Sequence, residues 1–253
     1  MIPLFIDGIV LGLQFSLLAV GLTLIYGLGG VLNLAHGQFA VIAGIVTALL
    51  IGAGVTAPLA ALLGILAAGA FAFLVDRSLM RPAYRYTGEA RLLLGLMLTL
   101  GLSLMVTGFL NFRFPQTALS LRLPILSISV FGITIRTASL IVALVALVAI
   151  LSLLAFLRGT SVGKAIRAVV QNEVGAELCG IDPTKIRSLI FFLGGIMAGL
   201  AGVAQGLFSA VGTEMGMELT ILALIVATVG GVRSITGTLA AGILLGVVNV
   251  FAS

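Results

Sequence analysis

Eight apolar stretches constrain this chain more than anything else in it, at roughly 8–28, 36–54, 57–75, 92–111, 138–157, 188–210, 218–231 and 237–252. A helix needs about 20 apolar residues to cross the hydrocarbon core of a bilayer, where every backbone polar group must find a partner inside the protein. The runs are continuous and do not alternate in polarity, so they predict spanning helices rather than barrel strands. Hydrophobic residues fill 61% of the 253 positions and charged ones only 8%, far from the balance of a soluble domain. The expected fold is all-α: one transmembrane domain over 1–253, a polytopic membrane protein with about eight transmembrane segments, two of them short and some discontinuous, lying in a lipid bilayer.

The basic residues give the orientation. Arg77, Arg81, Arg85 and Arg91 follow the third stretch, Arg158, Lys164, Arg167, Lys185 and Arg187 follow the fifth, and Arg233 follows the seventh. Only Arg113, Arg122 and Arg136 fall on the opposite side, and the bias puts the larger group in the cytoplasm and the N-terminus outside. The net charge of +5 therefore reads as a topology signal, with no basic face for nucleic acid. Met1 to Asp7 has no basic n-region, so targeting is expected through the first membrane segment and not through a cleaved leader. Residues 112–137 form the long external connection. Two β-prone runs within Leu121 to Ile135 predict an extracytoplasmic hairpin there, although Pro115 and Pro124 weaken the strand signal.

Two polar breaks interrupt the apolar pattern. Gly29 to Gln38 (GGVLNLAHGQ) contains the single histidine, and Gly230 to Thr236 follows the short seventh stretch. Both open on Gly-Gly-Val, and glycine-interrupted segments at corresponding places in two halves point to a transporter's central site. Irregular polar backbone at membrane depth is tolerated only in a protein interior or along a wet cavity. Asn33, His36, Gly37, Gln38, Gly230, Gly231 and Thr236 are therefore the candidate translocation path. For His36 two roles stand open, a protonatable site or a structural cap on backbone carbonyls freed by the break.

Residues 158–187 differ in kind. Gly163 to Cys179 predicts one short surface helix, apolar at Ile166, Val169, Val170, Val174 and Leu178, ending at Gly180 before Pro183. A soluble partner docking on this helix and a helix lying at the lipid headgroups are equally good readings of the residues. Cys179 reads as a small buried filler, with no thiol or histidine beside it to form a metal site. Spacings such as Gly8 with Gly12, Gly195 with Gly199, Gly202 with Gly206 and Gly242 with Gly246 indicate close helix packing without selecting partners. No phosphate-binding loop, nucleophile elbow or acid pair is present, which predicts neither enzyme activity nor a cofactor and puts any energy source outside this chain.

Leu22 to Gly37, Gly163 to Ile181, Phe192 to Val203 and Val226 to Gly246 resemble, in that order, the Liv-type permease subunits of branched-chain amino-acid ABC importers. The resemblance implies a permease in a bacterial or archaeal cytoplasmic (inner) membrane, working with a second permease (a heterodimer), two cytoplasmic ATPase subunits and an extracytoplasmic substrate-binding protein. It implies that Gly163, Lys164, Arg167, Ala176, Glu177, Gly180 and Ile181 belong to the segment that couples to the ATPase. The expected cargo is a branched-chain or related small apolar amino acid; the alternative is a permease or channel for urea and short-chain amides. Members of that family usually continue past the position of Ser253 into a further hydrophobic segment, which leaves the external placement of the C-terminus open.

Overall fold

The computed structural model describes residues 2–114, 121, 127–130 and 133–252. Among them are ten α-helices and one two-stranded sheet. In chain order, α1 is Ile2–Thr23, continued by a wider π turn over Leu24–Leu28; α2 is His36–Gly52; and α3 is Ala57–Val75, likewise extended over Asp76–Met80. Gly88–Arg113 forms α4 and Thr137–Gly159 forms α5. Two short helices follow, α6 (Ser161–Gln171) and α7 (Glu173–Leu178), then α8 (Pro183–Phe208), α9 (Met215–Gly230) and α10 (Ile235–Ala252). Six of these helices, with the extensions of α1 and α3, are long and apolar enough to cross a membrane, while α2 and α9 are apolar but shorter. All eight apolar stretches are thus helical.

The core is built around α1, which is buried along most of its length, with α8, α9, α10 and α5 packed on it and α2 and α3 packed on α8. In a bilayer close packing must substitute for the hydrophobic drive between helices, and small residues permit it. A Cβ added to Gly246 would stand 2.2 Å from the Gly12 amide nitrogen, and one on Gly12 2.5 Å from the Cα of Ile243. The small faces of α1 and α10 therefore select each other. Those of α8 are shared: Gly195 and Gly199 meet Ala68, Ala72 and Ile65 of α3, while Gly202 meets the Ala40 backbone of α2.

Strands Ser127–Val130 and Ile133–Arg136 pair antiparallel, with Ser127 opposite Arg136 and Val130 opposite Ile133. Residues 122–126 and 131–132 of the expected hairpin lie outside the described residues. The surface segment differs from expectation, because Gly163 to Cys179 is not one helix. The extended backbone of Asn172 (φ −154°, ψ 103°) ends α6 and starts α7, and its side chain accepts a hydrogen bond from the Gly175 amide at 2.9 Å. The break resets the helical phase. Ile166 and Val169 turn inward, while Val174 and Leu178 face out at 66% and 85% exposure. Cys179 is exposed rather than a buried filler, since it lies on the turn that ends α7.

Candidate functional site: two helix breaks and a charged cluster

At the first break the chain leaves the π turn through Gly30, whose φ of 72° favours glycine, and runs non-helically to α2. Val31, Asn33 and Ala35 are buried there, so their backbone groups need partners within the protein. The Asn33 Oδ1 accepts from the Ala35 amide at 2.9 Å. Thr99 of α4 accepts from the Leu34 amide at 2.9 Å, and Thr220 of α9 accepts from the Gly37 amide at 2.8 Å. The first turn of a helix always has amides without intrahelical partners, and here a hydroxyl from another helix caps one of them.

The polar side chains of this break reach two helices. His36 Nε2 lies 3.0 Å from the Leu18 carbonyl of α1. A carbonyl only accepts, so Nε2 carries the proton and the ring braces the start of α2 against the last turns of α1. Gln38 Nε2 donates to Thr107 at 2.8 Å and to Ser103 at 3.2 Å, both on α4. Asn33 Nδ2, His36 Nδ1 and Gln38 Oε1 are buried with no partner among the described residues, which leaves one donor and two acceptors of hydrogen-bonding capacity inside the bundle.

The second break is a tight turn at the end of α9, with Gly231 at φ 88° and the Ser234 amide on the Gly231 carbonyl at 2.8 Å. It packs against the end of α1: a Cβ on Gly27 would stand 2.0 Å from the Val232 carbonyl oxygen, and the Thr23 and Thr238 hydroxyls lie 3.0 Å apart. Gly230 packs on Thr238, and Thr236 Oγ1 lies 3.4 Å from the Ser234 hydroxyl. The candidate residues therefore fall in two places, Asn33 to Gln38 beside Thr220 and Gly230 to Thr236 ten residues further along α9. That separation is about 15 Å at helical rise.

A cavity of about 900 Å³ joins Gly29 and Gly30 of the first break and Val232 and Arg233 of the second to the surface segment, while Asn33, His36, Gly37, Gln38, Gly230, Gly231 and Thr236 do not line it. Gly27 to Gly30, Val232 and Arg233 line it on one side, and Val169, Val170 and Glu173 on the other. Within the surface segment, Thr160 caps α6 by accepting from the Gly163 amide at 3.0 Å, and Gly163 is buried against the Leu157 backbone. Arg167 donates to the Leu157 carbonyl. Lys164 and Glu177 are exposed, Ala176 is buried, and Gly180 (φ 80°) and Ile181 close the segment before α8.

A charged cluster ties this segment down, and the sequence reading did not single it out. Glu173 pairs with Arg187 and, at 3.4 Å, with Arg91. The Arg187 guanidinium lies 4.4 Å from the centre of the Tyr84 ring, a cation–π contact. The Tyr84 hydroxyl donates to Asp76, as does that of Ser188 at 2.5 Å. Burial pushes the Tyr84 phenol up, and the neighbouring Asp76 carboxylate adds to the effect, so Tyr84 remains the donor. Thr99, Ser103, Thr107 and Thr220 were missed as well. Their signal in α4 is a spacing of four residues, Arg91, Gly95, Thr99, Ser103, Thr107 and Asn111, within an apolar helix.

The family described as "Branched-chain amino acid transport system / permease component" matches residues 4–253. The high-affinity branched-chain amino acid transport system permease protein LivH of Salmonella typhimurium is 30% identical, covering 98% of this chain and 84% of its own length. BraD of Pseudomonas aeruginosa, a permease protein of the same description, is 28% identical over 97% and 84%. A probable LivH of Methanocaldococcus jannaschii is 28% identical over 91% and 74%. No solved structure matches. Eight apolar helices and relatives in bacteria and an archaeon make this a multi-pass protein of the inner membrane, a transport component and not an enzyme. The chain belongs to the family of branched-chain amino acid transport system permease components.

Proposed function

We propose that this chain is the translocation subunit of an ATP-driven importer for leucine, isoleucine, valine and related small apolar amino acids. It works beside a second permease subunit, two cytoplasmic ATPase subunits and an extracytoplasmic substrate-binding protein. The observation that carries the reading is the cavity of about 900 Å³, because it brings the segment expected to meet the ATPase into one space with Gly29 and Gly30 at the start of the first break and with Val232 and Arg233 of the second. Val174 and Leu178 present apolar surface on α7, with Glu177 beside them, for a groove on the ATPase. The hairpin of 127–136 would then face the binding protein side.

The path runs along Asn33, His36, Gly37 and Gln38 and leaves past Gly230, Gly231 and Thr236. A zwitterionic amino acid has one acceptor end and one donor end. The free Asn33 Nδ2 suits its carboxylate, and the free His36 Nδ1 and Gln38 Oε1 suit its ammonium. The test is uptake of labelled leucine into proteoliposomes holding the full set of subunits, with urea as the competing cargo. ATP-dependent leucine uptake that disappears without this subunit supports the assignment. Leucine uptake unchanged by its removal, or urea flux without ATP, refutes it.

A further inference from the structure

α4 stands apart from the other spans in how it is attached. Its outward side is apolar and exposed, at Met97, Leu104, Met105, Phe109 and Phe112. Its buried positions are Gly95, Thr99, Ser103 and Leu110, and Leu94, Leu98 and Leu102 are half-buried against the core. Its polar contacts are distributed along the stripe of every fourth residue. Arg91 meets Glu173 of α7. A Cβ on Gly95 would stand 2.5 Å from the Val31 side chain. Thr99 holds the Leu34 amide, and Ser103 with Thr107 holds the Gln38 side chain. At the far end Asn111 donates to Glu214 at 3.0 Å and accepts from Thr213, just ahead of α9. One helix thus touches the surface segment, the first break and the start of α9 over a length of about 30 Å.

We propose that α4 is the rod that carries movement of the surface segment to the first helix break, with Arg91 and Glu173 as the positioning residues at its driven end. The inference rests on the reading of 158–187 as the coupling segment. Glu173 is the shared joint. Its bond to Arg187 belongs to the fixed cluster of Tyr84, Asp76 and Ser188, whereas its bond to Arg91 reaches the helix that holds Leu34 and Gln38. A displacement of α7 shifts Arg91, and the stripe delivers that shift to Leu34 and Gln38, two positions to either side of His36. Leu94, Leu98 and Leu102 seat α4 on the core, but its links to the surface segment, to the Leu34 amide and to the Gln38 side chain are polar, so a shift of Arg91 is felt at those bonds.

The test has two arms. In the full chain in native membranes, with Cys179→Ser and Leu34→Cys, a water-soluble maleimide reports how open the break is. Glu173→Gln raises the labelling rate about tenfold, as loss of a charge-assisted bond implies. Thr99→Val, a cut further along the rod, does the same. Arg91→Lys, which keeps the charge, and Arg85→Gln, exposed and away from the stripe, stay within about twofold of the parent. In proteoliposomes with the complete set of subunits, Glu173→Gln and Arg91→Gln raise ATP hydrolysed per leucine imported about tenfold, whereas a merely structural loss lowers both rates together. Labelling unchanged by both Glu173→Gln and Thr99→Val, or an unchanged ratio of ATP to leucine, overturns the proposal. A parent complex that hydrolyses ATP without importing leucine refutes the functional reading alone, and the labelling arm still decides this one.

Discussion

Thr220→Val replaces one hydroxyl by a methyl of the same shape at the point where α9 closes the first helix break. Thr220 Oγ1 accepts from the Gly37 amide at 2.8 Å and lies 2.8 Å from the Gly216 carbonyl and 3.2 Å from that of Leu34. Gly216 and Leu34 lose a donor, but the larger effect falls on Gly37. Its amide lies in the first turn of α2, has no intrahelical acceptor and is sealed from water. An unsatisfied buried amide costs about 1–3 kcal/mol, and loss of a helix cap about 1 kcal/mol. Side-chain bonds between membrane helices measure lower, about 0.6 kcal/mol on average and up to about 1.7. The expected loss is therefore about 1–2 kcal/mol, a factor of roughly 5–30 in the folding equilibrium. Reversible unfolding of the purified protein by SDS in mixed micelles measures it. Thr220→Ser keeps the hydroxyl and recovers most of the loss. Thr228→Val serves as the comparison, because that hydroxyl is exposed and bonds only to the Ile225 carbonyl of its own helix. A Thr220→Val protein that unfolds with Thr228→Val and with the parent, all within about 0.5 kcal/mol, refutes the reasoning that α2 is capped from α9.

Gly27→Ala places a methyl against the Val232 carbonyl and is expected to destabilise by about 1–3 kcal/mol in the same assay, whereas Gly101→Ala, with open space around it, leaves stability the same or slightly higher. Asn172→Ala removes the side chain that caps α7 and should cost about 1 kcal/mol locally, read as faster amide exchange at Gly175 and Ala176. The backbone amides of Lys185 and Thr184 hold the Asp182 carboxyl below its ordinary 3.8. A depressed value means that the cap is present above the ordinary pKa and is lost as pH falls through the depressed one. Exchange at Thr184 and Lys185, corrected for its intrinsic pH dependence, is therefore expected to accelerate only at acid pH, and Asp182→Asn to abolish that acceleration.

Hydropathy made the eight helices legible because burial in lipid demands long apolar runs, and each run became one helix. The same signal could not show how the helices pair. Gly8 with Gly12 and Gly242 with Gly246 were visible as small-residue spacings, but in a chain with 33 glycines many helices carry such a face. The Asn172 joint was hidden by helix-forming residues on both sides, and a single amphipathic pattern drawn through it put Val174 and Leu178 on the wrong side. Asn33, His36 and Gln38 stood out because polar groups are rare at membrane depth. Their partners Thr99, Ser103 and Thr220 did not, since a hydroxyl within an apolar helix can satisfy itself on its own backbone. Thr99 and Thr220 also lie 2.7 and 2.8 Å from the carbonyls of Gly95 and Gly216.

The pairing of α1 with α10 bears on how the protein is made. A ribosome delivers α1 first and α10 more than two hundred residues later, yet Gly12 fits only against Ile243 and Gly246, and Ser16 reaches the Leu239 carbonyl at 3.1 Å. Contacts so distant in sequence form late. Until α10 arrives, the helix at the centre of the finished bundle has an open side, with Ser16 at membrane depth on a half-built surface. Insertion and assembly are then separate events, and the interval between them is when the nascent chain depends most on helpers in the membrane.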